Sequence, residues 1–455
     1  MGVGSWRLTS HVLHPPAKPT RVAAALAALW LCAASPTRAE ILVRWDQPDV
    51  PPPAALGLTT LVVPAGSDAR ARALAQGYRV YVEVEAAALA GFTPPAGPLA
   101  GVFVKGTPRP GLLRQLRTAL SPRGARVAVL DDRGKWPHIR SNWVTKNRDV
   151  LQVTGRSAQP WIENNAALIR VGGGGQTGVR PSSDPGLTPS VPPTLTYRWQ
   201  PITLSDAGEG PAVENYLVAI AEAGTFGADL VLPLHERFQS RLLSAEPRAR
   251  AEWARIRSYL EFYAWPLRGR APAANIGVVT AEPMLSFEVM NLLLRHNQPF
   301  TLVPPAELPK RGLEPFKLLV VLDDPGPEAA KALRAFEAAG GKVRRVTGGV
   351  TDPNEFALEV RRMVGAEHRV LEIWNGITVM AAAYQAPDGQ SLVLTAVNYA
   401  HQALPVQIRV PGAYSTVQFE SPEEPAALLP HTIRNGYTEF VLPALRVGGR
   451  VFLSR

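Results

Sequence analysis

The 455-residue chain has one cysteine, Cys32. It lies in an apolar run near the N terminus, residues 22–34 (VAAALAALWLCAA). Without that run no thiol remains, which excludes disulfides, thiolate metal sites and a cysteine nucleophile. The eight histidines are scattered singly, with no metal-ligand spacing, so neither a metal nor a cofactor is expected. The run at 22–34 is too short to span a bilayer and nothing later is longer, so no membrane span is expected. Basic residues outnumber acidic ones by 48 to 38, a net charge of +10. No dense basic run is interleaved with aromatic residues, which argues against nucleic acid as a partner. There is also no P-loop lysine, no H-E-x-x-H and no G-x-S-x-G elbow. Residues 173–178 match G-x-G-x-x-G in form, but Val179-Arg180-Pro181 follows where a phosphate cradle needs a helix.

What is present begins with a targeting segment. Arg7, Lys18 and Arg21 accompany the apolar run, no acidic residue occurs before Glu40, and Thr37 and Ala39 put small residues at a cleavage position. Residues 1–39 therefore read as a signal peptide and the mature chain as secreted or periplasmic. Trp30 and Leu31 are too bulky, just before Cys32, for a lipid-attachment site. Losing Arg7, Lys18, Arg21 and Arg38 leaves 44 basic residues against 38 acidic. The roughly 415 remaining residues are enough for two to four domains.

Over residues 40–268, strand-like runs at 58–64, 78–84, 101–105 and 126–130 alternate with helical runs at 68–76 and 112–120. That is the pattern of βα units around a parallel sheet. Further strands are expected at 150–154, 197–199 and 228–232, and helices at 161–170, 213–223 and 246–265. A loop rich in Gly, Pro, Ser and Thr is expected over 172–193. Seven strands suit a (β/α)8-like barrel that has lost helices. Residues 269–368 carry strands at 275–280, 300–303, 317–322 and 342–346. Helices at 287–296 and 327–339 lie between them, the second closed by Gly340-Gly341. This is a doubly wound, flavodoxin-like α/β pattern. Residues 369–455 show strands without helices and an Asp388-Gly389 hairpin signal, which together read as an antiparallel β-sandwich. The expected class is thus α/β: a degenerate TIM-like barrel, a doubly wound domain and a C-terminal sandwich.

Residues 316–346, FKLLVVLDDPGPEAAKALRAFEAAGGKVRRV, join a buried strand, an acidic turn, a helix and a Gly-Gly exit. Residues 288–305 add a helix and a strand ending in VPP. With its three parts in this order, the chain resembles the family 42 β-galactosidases and related glycoside hydrolases. The resemblance implies glycoside hydrolysis on a barrel, a carbohydrate partner, and a homo-oligomer formed through the flavodoxin-like trimerisation-type domain. In that family the middle domain is similar to glutamine amidotransferases without their nucleophile, and the absence of cysteine after residue 32 agrees. The paired Asn-Glu that closes a catalytic strand in such enzymes has no counterpart here.

Glycoside hydrolysis takes two carboxyl groups flanking the scissile bond, and in a barrel they project from the C-terminal ends of strands. Asp131 and Asp132 follow RVAVL, and Glu236 follows ADLVLPLH. The expected catalytic set is therefore Asp131 or Asp132 with Glu236 opposite. The same residues also suit an acidic turn and a carboxylate placed at a helix N-terminus. Trp136, Trp143, Trp161 and Trp199 offer flat faces for pyranose rings, or anchors for a core. Glu163 and Asn164, in WIENN, are set to hydrogen-bond sugar hydroxyls, or to open a helix after Pro160. His235 is placed to bind a hydroxyl or tune Glu236, with His138 a weaker candidate. Glu83 and Glu85, at the end of YRVYVEVE, are expected to be solvated.

Three functions fit these residues. The first is a secreted glycoside hydrolase acting on an oligo- or polysaccharide. The others are a non-catalytic carbohydrate-binding protein of the same ancestry and an assembly module. A pair of carboxyls about 5–10 Å apart in a cleft selects the first.

Overall fold

The computed structural model describes residues 41–140, 144–147, 150–153, 161–175, 194–199, 208, 210–264, 267, 270–283, 287–346, 350, 353–400 and 402–455. The proposed signal peptide, Cys32 and Trp143 lie outside them. Seven parallel strands close a barrel: β1 (Ile41–Arg44), β2 (Thr60–Pro64), β3 (Arg79–Glu85), β4 (Gly101–Lys105), β5 (Arg126–Lys135), β6 (Thr194–Arg198) and β7 (Asp229–Pro233). Their order round the barrel is β1-β7-β6-β5-β4-β3-β2.

Among the described residues, besides a single helical turn at Pro53–Leu56, the barrel carries the helices α1 (Ala69–Ala75), α2 (Pro110–Leu120), α3 (Ala166–Gly175), α4 (Val213–Phe226), α5 (Glu236–Leu243) and α6 (Pro247–Tyr263). Helix α2 starts with Pro110 at its first position and buries Leu113, Leu116 and Leu120 against the barrel, one stripe of a 3.6-residue period. Between β3 and β4 the crossover is only a 3-10 turn, Ala86–Gly91, so a helix is missing there.

Inside the barrel, Leu42, Val62, Tyr81, Phe103, Leu130 and Val231 form one packed apolar layer. Tyr81 and Phe103 stack with ring centroids 4.8 Å apart. Below the layer, at the strand N-termini, Arg126 Nη2 donates to Asp229 Oδ2 at 2.6 Å and to Thr194 Oγ1 at 3.2 Å, plugging the floor with a paired charge.

Helix α4 is apolar on nearly every face, because it is sandwiched between the barrel and the C-terminal sheets. The sandwich residues Tyr384 and Thr395 both donate to the Thr225 carbonyl, at 2.8 and 3.0 Å. A Cβ on Gly224 would lie far inside van der Waals contact with Cδ1 of Tyr263 on α6. Gly224→Ala is therefore expected to lower stability by about 1–3 kcal/mol through overpacking, read as a lower urea midpoint.

Strands β8 (Ile276–Val279), β9 (Phe300–Val303), β10 (Leu318–Val321) and β11 (Lys342–Arg345) form a parallel sheet in the order β9-β8-β10-β11. Helices α7 (Phe287–Arg295), α8 (Gly326–Ala338) and α9 (Pro353–Val364) accompany it. The C-terminal region packs a six-stranded on a four-stranded antiparallel sheet around a separate core that includes Leu394, Ile408, Phe440 and Val451. The edge strand Ala271–Pro272 joins the six-stranded sheet, so the chain touches the sandwich before entering the middle sheet.

Several local expectations are corrected. Strand β1, only four residues long, has no expected counterpart because it is too short to stand out in the sequence. The strand at Val150–Val153 exists but pairs with Val144–Asn147 outside the barrel. Residues 161–170 are not one helix. Trp161–Glu163 is a strand, and α3 begins at Ala166, whose backbone N–H donates to Asn164 Oδ1 at 3.2 Å. An Asn cap stops the strand and starts the helix. That helix runs to Gly175, into the stretch expected to be loop. Strand β5 does not end at Leu130 but continues through Asp131 and Asp132 to Lys135, because β6 pairs with it there. Helix α9 was not anticipated.

Candidate active site

The apolar layer determines what stands above it. Side chains on a strand alternate with a period of two. The positions two residues beyond Leu42, Tyr81, Phe103, Leu130 and Val231 are Arg44, Glu83, Lys105, Asp132 and Pro233. All five line a cavity of about 210 Å³ at the C-terminal mouth of the barrel, together with Asp46, Thr196, Tyr197, Arg198, Trp199, Pro211, Leu234 and His235. This is the end of a barrel where side chains from different strands converge.

On β5 a bulge sets the last of these contributions. Leu195 lies opposite Asp131 and Tyr197 opposite Gly134, so β5 carries an extra residue at 132–133. Asp132 lines the cavity, with its Oδ2 3.5 Å from Arg198 Nη2. Its neighbour Asp131 does not. Arg133 binds Asp131 through Nε at 2.8 Å and Nη2 at 2.5 Å, and the Arg133 backbone N–H adds a third bond at 3.1 Å.

Glu83 is the buried acid of the mouth, only 7% exposed. Burial pushes its carboxyl up; Arg44 and Lys105 pull it down and Asp46 and Glu85 push it up further, with burial dominant. Arg44 Nε lies 3.3 Å from Glu83 Oε2, and Arg44 Nη2 lies 3.1 Å from Asp46 Oδ1. The Arg44 Nε is buried and makes no hydrogen bond, so its contact with Glu83 is an unaligned ion pair.

The aromatic wall is layered. Trp136 is buried and meets Trp199, Tyr197 and Tyr216 edge to face at 5.6, 6.0 and 5.4 Å. Trp136 is thus the centre of a cluster, whereas Trp199 reaches the cavity. The buried indole N–H of Trp199 has no hydrogen-bond partner among the described residues. His235 also lines the cavity and caps α5, with its Nδ1 accepting from Arg237 N at 3.3 Å. That bond assigns the ring proton of the neutral form to Nε2. Gly210, at φ +75°, packs so close that a Cβ would sit 2.5 Å from the His235 ring.

The other expected residues lie elsewhere. Glu236 is exposed in the first turn of α5, where a carboxylate suits the helix dipole, and it is outside the cavity lining. Glu163 is paired with Lys135 Nζ at 2.8 Å. Asn164 is buried and spends its amide on the Ile162 carbonyl and the Ala166 N–H. Trp161 opens a strand, and its side chain is outside the described residues. His138 Nδ1 sits 2.9 Å from the Trp136 carbonyl. Arg44, Lys105 and Arg198 carry no site motif in the sequence, and Glu83, expected to be solvated, is buried in the lining instead. The signal was a charged residue two places after the last inward apolar one, as in ILVR, YVE and FVK.

Behind the mouth stands another buried acid, one with no signal in the sequence. Glu222 on α4 is 0% exposed. Its Oε1 accepts from Tyr399 OH at 2.7 Å and Asn165 N at 2.9 Å, and its Oε2 from Asn165 Nδ2 at 2.7 Å and Tyr197 OH at 3.0 Å. Burial pushes the Glu222 carboxyl up despite these four donors. Among the described residues no group of three or more His, Cys, Asp or Glu is arranged to hold a metal ion. No helix among them is long and apolar enough to cross a membrane.

No protein-family model matches the chain, and no curated protein is similar to it in sequence. Solved structures are similar in shape. An α-L-fucosidase isoenzyme 2 from Paenibacillus thiaminolyticus superposes with a TM-score of 0.56 at 10% identity, covering 92% of this chain and 100% of that one. A β-galactosidase from the Antarctic haloarchaeon Halorubrum lacusprofundi gives a TM-score of 0.43 at 9% identity, covering 91% and 99%. A GH42 β-galactosidase from G. stearothermophilus gives 0.39 at 10% identity, covering 85% and 65%. On the first of these likenesses, the barrel and the sheets that follow it make a glycoside-hydrolase-like fold.

Proposed function

We propose that this chain is an exported glycoside hydrolase acting on an oligo- or polysaccharide, with Glu83 and Asp132 as its two carboxyl groups. The observation that carries this reading is that one buried acid and one more open acid line the same cavity at the C-terminal mouth of a closed barrel. Glu83, raised by burial, is suited to hold a proton and deliver it to the leaving glycosidic oxygen. Asp132 would attack the anomeric carbon or activate water against it. Trp199 would offer an apolar face to the ring. A cavity of about 210 Å³ is smaller than the roughly 300–1,000 Å³ of drug-sized ligand sites, which suits one sugar ring at the mouth.

A second reading, a carbohydrate-binding protein without catalysis, is favoured by one contact. Arg44 lies against Glu83 and attracts its ionised form. Hydrolysis of a panel of nitrophenyl glycosides and polysaccharides separates the two. On the hydrolase reading at least one substrate turns over, Asp132→Asn abolishes the turnover, and Glu236→Gln leaves it largely intact. No turnover on the panel, with retained affinity for a sugar, would favour the binding reading.

A further inference from the structure

We infer that the saccharide taken at the barrel mouth carries an anionic group, a carboxylate or a sulfate ester, held by Arg198 and Lys105. The inference rests on the proposed use of the cavity as a sugar site, and it names the class of sugar. Three cations line the cavity: Arg44 from β1, Lys105 from β4 and Arg198 from β6. They differ in how firmly they are held. Arg44 is committed, lying between Asp46 at 3.1 Å and Glu83 at 3.3 Å. The other two are loosely engaged. Lys105 Nζ pairs at 2.9 Å with Glu85, whose side chain is 60% exposed. An exposed ion pair of this kind contributes little and is easily exchanged. The side chain of Arg198 is 67% exposed, and its contact with Asp132 is 3.5 Å long.

Strands β4 and β6 flank β5, so Lys105 and Arg198 stand on either side of Asp132. A neutral ring needs hydrogen bonds but no second and third cation at the rim. A guanidinium offers a planar pair of donors that matches a carboxylate or sulfate, and an ammonium adds a point charge. The charge balance agrees. Among the described lining residues, with Glu83 carrying a proton as general acid, three cations face Asp46 and Asp132, an excess of one positive charge that a ligand anion would offset.

The test compares nitrophenyl glucuronide, galacturonide and 6-sulfo-N-acetylglucosaminide with the matching neutral glycosides. Binding of free glucuronate, galacturonate and the sulfated sugar is measured alongside by ligand-observed NMR. Arg198→Gln and Lys105→Gln are run beside the parent chain. The expected result is that one anionic class is preferred by tenfold or more in kcat/KM or in affinity. Either substitution should remove most of that preference, the anionic sugars losing at least tenfold more than the neutral ones. Which class wins tells carboxylate from sulfate. Neutral glycosides turned over as well as anionic ones would overturn this inference and leave the hydrolase reading standing. Anionic sugars that bind through Arg198 with no turnover would sink the hydrolase reading and keep the inference. Neither turnover nor binding would remove both.

Discussion

Glu83→Gln is expected to lower kcat by about 10²- to 10⁴-fold on substrates with a sugar or alkyl leaving group, the usual worth of a positioned general acid. The same variant should lose far less on a dinitrophenyl glycoside, whose leaving group departs without a proton. The pH profile gives an independent reading. Burial holds the Glu83 proton to higher pH than an ordinary glutamate, so the parent's rate falls as pH rises through that raised value. The variant has no such proton to lose, so its high-pH limb should flatten. Stability should move little, or upward. A carboxyl raised by folding contributes stability below its unfolded value of about 4.3 and loses it as pH rises through the folded value, so at neutral pH the glutamate is a liability. Among the described residues its carboxyl has an ion pair with Arg44 but no hydrogen bond, and Arg44 retains Asp46 when Glu83 is neutralised. An unchanged urea midpoint with abolished turnover is the signature of a site residue, and a collapse of both would remove Glu83 from the mechanism.

The barrel was legible because its strands are short apolar runs separated by turns and helices, and period and punctuation survive in a single sequence. The same alternation also places the mouth. Once Tyr81 and Phe103 are placed inward, Glu83 and Lys105 must point the same way one layer up. What hid them was the even composition of YRVYVEVE, in which the inward face is not distinguishable until its neighbours are known. Asp132 stands out because an acid after RVAVL is conspicuous, and the structure places it in the cavity lining. Its separation from Asp131 depended on the pairing of β5 with β6, a contact between segments far apart in sequence. Glu236 illustrates the opposite error. It follows a strand in the text, yet Leu234 and His235 turn the chain into α5 first, and the carboxylate ends on the helix surface. WIENN misled for a related reason: Asn164 and Asn165 serve the backbone of the fold, the first capping α3 and the second clamping Lys135 and Glu222.

Glu222→Gln should produce the opposite pattern from Glu83→Gln, because the two buried glutamates differ in their donors. Four N–H and O–H groups converge on the two oxygens of Glu222, from Asn165, Tyr197 and Tyr399. Glutamine replaces one oxygen with an amide nitrogen that faces two of those donors. A tyrosine hydroxyl can turn and accept, but the Asn165 groups cannot, and each stranded donor costs about 1–3 kcal/mol. A loss of about 1–3 kcal/mol is expected, read as a lower urea midpoint. Burial raises the folded carboxyl, so the parent's advantage is fully present below about 4.3 and shrinks as pH rises through the folded value. The two midpoints should therefore converge from acid towards neutral pH. Asn165 also brackets Lys135 through its backbone N–H at 2.8 Å and its carbonyl at 2.7 Å, and Tyr197 lines the cavity. Loosening Glu222 thus reaches the mouth from behind, through the strand that carries Asp132. Turnover should fall in step with the fraction of chain folded, with KM rising before kcat falls. A variant as stable as the parent would show that the four donors find water instead, and that the sandwich residue Tyr399 has no hold on the barrel.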